Sequence, residues 1–225
     1  MAADAPRQRI AVFCGAYTNA DAHARFSAAA AELGRLCAER NATLIACGLA
    51  ASQACAQTAL KHGGLACSVI DEATFASMDA GERAMMCAHV VQSADVHAAK
   101  ATAYGLSTAI VVLPGGYEAL DVAFEAACWS QLGCHDQHAG RAIGVLNVGG
   151  FFDGLLAQVR RGAESAFIGA RYAALHVQAD SAAALLDAIE AAQLPPPIAT
   201  TWTPFPCVLA AQTQLLAWEE AHAHA

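Results

Sequence analysis

One stretch constrains this chain more than any other: Ala109-Ile110-Val111-Val112-Leu113-Pro114-Gly115-Gly116-Tyr117-Glu118-Ala119-Leu120-Asp121. An apolar, β-branched run ends in Pro-Gly-Gly, and a helical pattern follows at once. That order belongs to a buried parallel strand delivering a tight turn into a helix N-terminus. Such a junction attracts anions, because the first helical amides point outward unpaired and the helix dipole favours negative charge. Here the first helical positions carry Glu118 and Ala119, where a phosphate turn would be expected to hold a small residue and a hydroxyl.

The rest of the chain repeats the strand-then-helix alternation. Strands are expected at Ile10 to Cys14, Thr43 to Cys47, Leu65 to Ile70, Ser107 to Leu113, Ala142 to Val148 and Ala174 to Gln178. Helices are expected at Asp21 to Glu39, Ser52 to His62, Ala94 to Ala103, Leu120 to Leu132, Phe152 to Gly162 and Ser181 to Ala192, the last with Ser181 as N-cap. Residues 71–84 carry the weakest pattern. This alternation predicts an α/β, Rossmann-like, doubly wound fold: a mainly parallel sheet with helices on both faces. Residues 1–194 are read as one domain. Pro195-Pro196-Pro197 then interrupts the pattern, and a final helix from Val208 to Glu220 follows. This tail, with Trp202 and Trp218, is too apolar for a solvated linker. It is expected to pack on the domain or on a second subunit.

Composition narrows the function. The 225 residues are enough for one substantial core. Hydrophobic content is 56%, much of it alanine, and no apolar run reaches membrane-spanning length, so no membrane partner is expected. The start, Met-Ala-Ala-Asp-Ala-Pro-Arg-Gln-Arg, has no apolar signal region, and a cytoplasmic location is expected. A net charge of −8 and the lack of any basic block argue against nucleic acid as partner. Nine scattered cysteines form no C-x-x-C pair and are read as small hydrophobes, not as a disulfide framework.

Four segments together resemble the LOG (Lonely Guy) family. They are Val12-Phe13-Cys14-Gly15, Leu113 to Tyr117, Trp129-Ser130-Gln131-Leu132-Gly133-Cys134-His135-Asp136, and Gly144 to Phe152. The resemblance runs from about residue 9 to 190, in order and at family spacing. It implies a Rossmann-like homodimer that hydrolyses the N-glycosidic bond of a nucleoside 5′-monophosphate, without a cofactor or metal. By this resemblance Gly15, Gly48, Lys100, Pro114, Gly115, Gly116 and Tyr117 are the candidate ligand- and phosphate-binding residues, and a nucleotide-like small molecule is the candidate ligand.

The family's contact motifs are altered. Its usual Pro-Gly-Gly-x-Gly-Thr-x-x-Glu reads Pro114-Gly115-Gly116-Tyr117-Glu118-Ala119-Leu120-Asp121-Val122 here. The Arg-Lys pair on the preceding helix reads Ala99-Lys100. The Gly-rich turn after the second strand keeps only Gly48. In the family that arginine and that glutamate are the catalytic pair, and Ala99 and Val122 can supply neither function. The reaction passes through an oxocarbenium-like sugar, and each placed acid or base group typically contributes about 10²–10⁴-fold. A stand-in would have to come from Glu118, Asp121 or Glu125. On a helix Glu118 and Glu125 share the face of Val122, whereas Asp121 lies about 100° around it. Glu118 is expected either to sit at the helix N-terminus as an internal anion or to point to solvent. Held about 4 Å from a phosphate, it would cost on the order of 4 kcal/mol at an effective dielectric near 20, unless Lys100 offset it. Two readings remain open: a LOG-like cleft that binds a ligand or partner without the reaction, and a phosphoribohydrolase working through moved carboxylates.

Smaller signals are assigned bland roles. His135-Asp136 and His138 could reach one metal ion, but the family carries His-Asp in this loop without metal. Cys134 has no evident partner for nucleophilic work. Asp95 and His97 are read as surface residues, Tyr117 and Trp129 chiefly as packing, and His222 and His224 as a frayed end.

Overall fold

The computed structural model describes residues 7–15, 20–48, 51–135, 140–198 and 206–222. Seven strands and nine α-helices are described: β1 (Arg9–Phe13), α1 (Ala20–Glu39), β2 (Thr43–Cys47), α2 (Ala51–Lys61), β3 (Leu65–Asp71), α3 (Glu72–Ser77), α4 (Ala80–Ala84), β4 (Val90–Ser93), α5 (Val96–Leu106), β5 (Ala109–Val112), α6 (Tyr117–Leu132), β6 (Ala142–Leu146), α7 (Asp153–Glu164), β7 (His176–Ala179), α8 (Ala182–Ala191) and α9 (Pro206–His222). The strands form one sheet in the order β4-β3-β2-β1-β5-β6-β7, and every neighbouring pair is parallel.

Strand periodicity builds both layers. Successive side chains point to opposite faces. Ala11 and Phe13 of β1, with Ile110 and Val112 of β5, enter the core lined by α5, α6, α7 and α9. Ile10 and Val12, with Val111 and Leu113, enter the opposite core, lined by α1, α2 and α8. The sheet is therefore doubly wound, as its uninterrupted apolar strands predict. Winding reverses between β1 and β5, where Ile10 pairs Ala109 and Phe13 pairs Val112. In open parallel sheets a crevice forms at the strand C-termini at such a reversal.

Three departures from the sequence reading are local. Residues 71–84 hold two short helices whose N-caps are aspartates. Asp71 accepts from the Thr74 amide at 2.8 Å, and Asp79 with Glu82 forms a reciprocal capping box. Strand β4 had no counterpart in the apolar pattern, because its sequence, Val-Val-Gln-Ser, is short and lies at the sheet edge. Helix α6 begins at Tyr117, three residues before its first core-periodic leucine, with Gly116 as N-cap. Remaining boundaries differ by a few residues: the predicted strand to Val148 stops at Leu146 and becomes a 3₁₀ turn over Val148–Gly150.

Helix α9 lies on α5 of the same chain. Val208 packs over Gly105, the Gln212 amide donates to the Gly105 carbonyl at 2.8 Å, and Ala211 and Leu215 join the core. At the far end Glu219 accepts from Arg9 at 2.8 Å and from the Thr43 hydroxyl at 2.6 Å. Trp218 stacks on His89 with ring centroids 5.0 Å apart. His222, expected to be frayed, is exposed but bonds the Trp218 carbonyl at 2.8 Å. Trp202 and His224 lie outside the described residues. No helix of the described residues is long and apolar enough to cross a membrane.

Candidate active site

A cavity of about 500 Å³ opens at the C-terminal ends of the strands, beside the winding reversal. Its floor is Phe13 and Cys14 at the end of β1, Cys47 and Gly48 at the end of β2, and Val69, Ile70 and Asp71 of β3. Thr74 of α3 closes one side. Val96, His97, Ala99 and Lys100 of α5 and Glu118, Asp121 and Val122 of α6 form the other walls. The two positions where family resemblance expects catalytic groups, Ala99 and Val122, thus stand on one cavity, 4% and 3% exposed.

Glycine packing shapes the adjoining turn. A β-carbon on Gly15 would lie 2.7 Å from the Gly116 nitrogen, and one on Gly115 would overlap the Gly15 nitrogen and stand 2.9 Å from the Ala119 β-carbon. The chain ends leaving β1 and β5 can approach this closely only without side chains. Cys14 adds to the contact, its thiol donating to the carbonyls of Gly15 and Pro114 at 3.3 Å each. Gly48 turns β2 with φ +84°, a left-handed conformation that favours glycine. Its carbonyl accepts from Gln53 at 2.7 Å.

Of the sequence-predicted ligand residues, Gly48 and Lys100 line the cavity. Gly15, Pro114, Gly115 and Gly116 form the crossing beside it, and Tyr117 is 91% exposed outside its lining. The carboxylates sort differently from the helical-face expectation. Glu118 and Asp121 line the cavity and Glu125 does not. Glu125 instead accepts from the Tyr104 hydroxyl at 2.8 Å and from Lys100 at 2.9 Å. Lys100 also donates to Asp121 at 2.6 Å. Burial pulls the lysine pKa down, but the bonds to the two carboxylates outweigh it and hold the ammonium above its ordinary range. Burial first, then Glu125, pushes the Tyr104 phenol well up, so it stays a neutral donor. Glu118 is exposed at the cavity mouth.

Sequence reading missed Asp71 and Thr74, because residues 71–84 showed no helical period. The signal was there in the caps: an aspartate at the end of a strand, three residues before Thr74. His97, assigned to the surface, is exposed and also lines the cavity, while Asp95 caps α5 by accepting from the Ala98 amide at 2.8 Å. Burial pushes the Cys47 thiol up to about 12, so this floor residue is not a thiolate nucleophile at neutral pH. Burial also pushes Cys134 up. Trp129 packs edge-on to Tyr104 at 5.2 Å, on the core side. His135 is buried, with Nε2 3.0 Å from the Ala126 carbonyl; Asp136 and His138 lie outside the described residues. Among the described residues no group of three His, Cys, Asp or Glu side chains could hold a metal ion.

Comparison with known proteins agrees with this architecture. A family profile described as "Possible lysine decarboxylase" matches residues 52–189. A protein of Oryza sativa subsp. japonica named probable cytokinin riboside 5'-monophosphate phosphoribohydrolase LOGL1 is 36% identical over 184 residues, covering 81% of this chain and 78% of the relative. Cytokinin riboside 5'-monophosphate phosphoribohydrolase LOG1 of Arabidopsis thaliana is 32% identical over 185 residues, covering 81% and 83%. The X-ray structure of TM1055, a structural genomics target, superposes with a TM-score of 0.59 at 14% identity, covering 82% of this chain and 99% of the other, which shows a shared fold. Profile and relatives together place the chain within one family: it belongs to the LOG family.

Proposed function

We propose that this LOG-family protein keeps the family's cleft as a ligand-binding site but has lost, or strongly altered, the hydrolysis of nucleoside 5′-monophosphates. The carrying observation is that Ala99 and Val122 both face the cavity. A methyl and an isopropyl group stand where the resemblance expects a guanidinium and a carboxylate. Neither can stabilise an oxocarbenium ion or protonate a departing base. Lys100 does not replace the arginine, because Asp121 and Glu125 already hold its ammonium.

One observation favours the second reading, an active phosphoribohydrolase. Asp121 lines the cavity with an ammonium 2.6 Å away, so a carboxylate and a cation are both present, one position from Val122. Incubation of the purified chain with AMP and with a cytokinin riboside monophosphate separates the two. The loss reading expects no free base above the uncatalysed background. Base release that vanishes in Asp121→Asn would establish the moved-carboxylate reading instead.

The same family reading expects a homodimer. It is supported by an exposed apolar row along α6, where Tyr117, Phe124 and Leu132 are 91%, 44% and 42% exposed. Sedimentation at micromolar concentration should give twice the chain mass of 23.1 kDa; a single-chain mass would reject it.

A further inference from the structure

The cavity has apolar walls and an acidic lining. Phe13, Val69, Ile70, Ala99 and Val122 supply hydrocarbon surface. Its charged lining, among the described residues, is Asp71, Glu118 and Asp121 against Lys100 alone. Three carboxylates against one ammonium leave two negative charges in excess, and Glu125 stands directly behind the lysine at 2.9 Å. The stretches 16–19 and 49–50, which follow β1 and precede α2, contain no Lys or Arg.

The three carboxylates stand in different settings. Asp71 is 7% exposed and caps α3. Burial raises its pKa, but the amide bonds at the cap prevail and hold the carboxyl below its ordinary range. Asp121 is held by Lys100. Glu118 stands in the first turn of α6, where the helix dipole favours a negative charge. A recess with low-dielectric walls focuses the field of such charges, so it concentrates cations and repels anions.

We propose that the cleft binds a primary ammonium ion carried on an apolar, alkyl or aralkyl body, rather than a phosphorylated molecule. The ammonium pairs with the carboxylates of the lining, Glu118 foremost, and the body lies along the apolar wall of Phe13, Ile70 and Val122. This rests on the reading that phosphoribohydrolase chemistry is lost, since a site for that reaction must admit a phosphate dianion. A cleft of about 500 Å³ holds such a molecule with most of its surface buried.

The test uses three near-isosteric probes on the intact chain by calorimetry and ligand-observed NMR: phenethylammonium, 2-phenylethanol and 3-phenylpropionate. Phenethylammonium should bind at least about tenfold more tightly than the alcohol, and the carboxylate should not bind. Added salt should narrow the gap. Glu118→Gln, a substitution at an exposed position, should weaken the ammonium by about threefold or more and leave the alcohol unchanged. Alcohol binding as tight as the ammonium, no ammonium binding at millimolar concentration, or displacement of the ammonium by ribose 5-phosphate at lower concentration overturns the proposal. Base release from AMP, assayed on the same sample, tests the loss of hydrolysis separately. Phosphate preference without release rejects only the ligand class; release rejects the lost-reaction reading on which it rests.

Discussion

The Lys100 ammonium on α5 lies 2.6 Å from the Asp121 carboxylate on α6, so the helix that carries Ala99 is tied to the helix that carries Val122. Glu125 and, through it, the Tyr104 hydroxyl complete the tie.

Lys100→Met should therefore act on stability before it acts on any ligand. The lysine side chain is 16% exposed and its partners 57% and 28%. That is drier than a surface pair and wetter than a buried one, so a loss of about 1–2 kcal/mol is expected. The urea midpoint measures it, and an unchanged midpoint would show the pairs to be ornamental.

The glycine crossing predicts a contrast between neighbours. Gly15→Ala and Gly115→Ala each press a methyl into backbone and should cost about 1–3 kcal/mol or prevent folding. Gly116→Ala meets nothing within 4 Å and should fold with a loss within about 1 kcal/mol. Thermal melts of the three variants decide this, and equal melting temperatures for Gly115→Ala and Gly116→Ala would reject it.

Glu219→Ala should loosen α9. It removes the acceptor of both Arg9 and Thr43 in a place where Glu219 is 8% exposed. About 2–3 kcal/mol is expected, between the cost of an unmet hydrogen bond and that of a broken buried pair. Faster amide exchange along α9 and the start of β1 is the local readout. Protection unchanged from wild type would mean that Val208, Ala211 and Leu215 hold the helix without it.

Acid should weaken the fold before the carboxylates titrate. Burial lowers the His176 pKa from its ordinary 6.5, and burial together with His222 lowers that of His89. Both imidazoles are then neutral in the fold, and the unfolded chain takes up protons first as pH falls. Their contribution is fully present above about 6.5 and declines as pH drops through that value toward the folded pKa. His176→Gln keeps a donor toward the Ala123 carbonyl and should flatten part of this slope. Urea midpoints from about pH 7.5 to 5 check it, and parallel curves for variant and wild type would dismiss His176 as the source.

Restoring the family motifs should restore chemistry. A combined Ala99→Arg, Glu118→Gly, Ala119→Thr and Val122→Glu variant is expected to release base from AMP, where the proposed reading expects none from the parent. Each recovered acid or base group is expected to contribute about 10²–10⁴-fold, and no single substitution should suffice. A folded, inactive combination would mean that the cleft differs from the family's beyond these four positions.

Much of this molecule was legible in its sequence because the physics was local. Apolar β-branched runs gave the inner strands, and Pro114-Gly115-Gly116 gave the tight turn from β5 into α6. Counting back fifteen residues from Pro114 singled out Ala99, which lines the same cavity as Val122. What stayed hidden depended on distant partners. A helical wheel put Glu125 on the face of Val122, but Tyr104 and Lys100 on another helix draw it away and leave Asp121 in the cavity. The docking of α9 rests on Arg9 and Glu219, 210 residues apart. No periodicity reports such a pair. Edge strand β4 has too few apolar residues to stand out, and Asp71 and Thr74 were lost with the unpatterned segment that holds them.

At the crossing of Gly15 and Gly115, backbone touches backbone, and none of Ala99, Glu118 and Val122 takes part. Form and reactivity are thus written in different letters of the sequence. Substitutions at Ala99, Glu118 or Val122 can change what the recess does without disturbing how it is made. A chain built this way can surrender an inherited reaction and still pass on an intact recess, open to a new use.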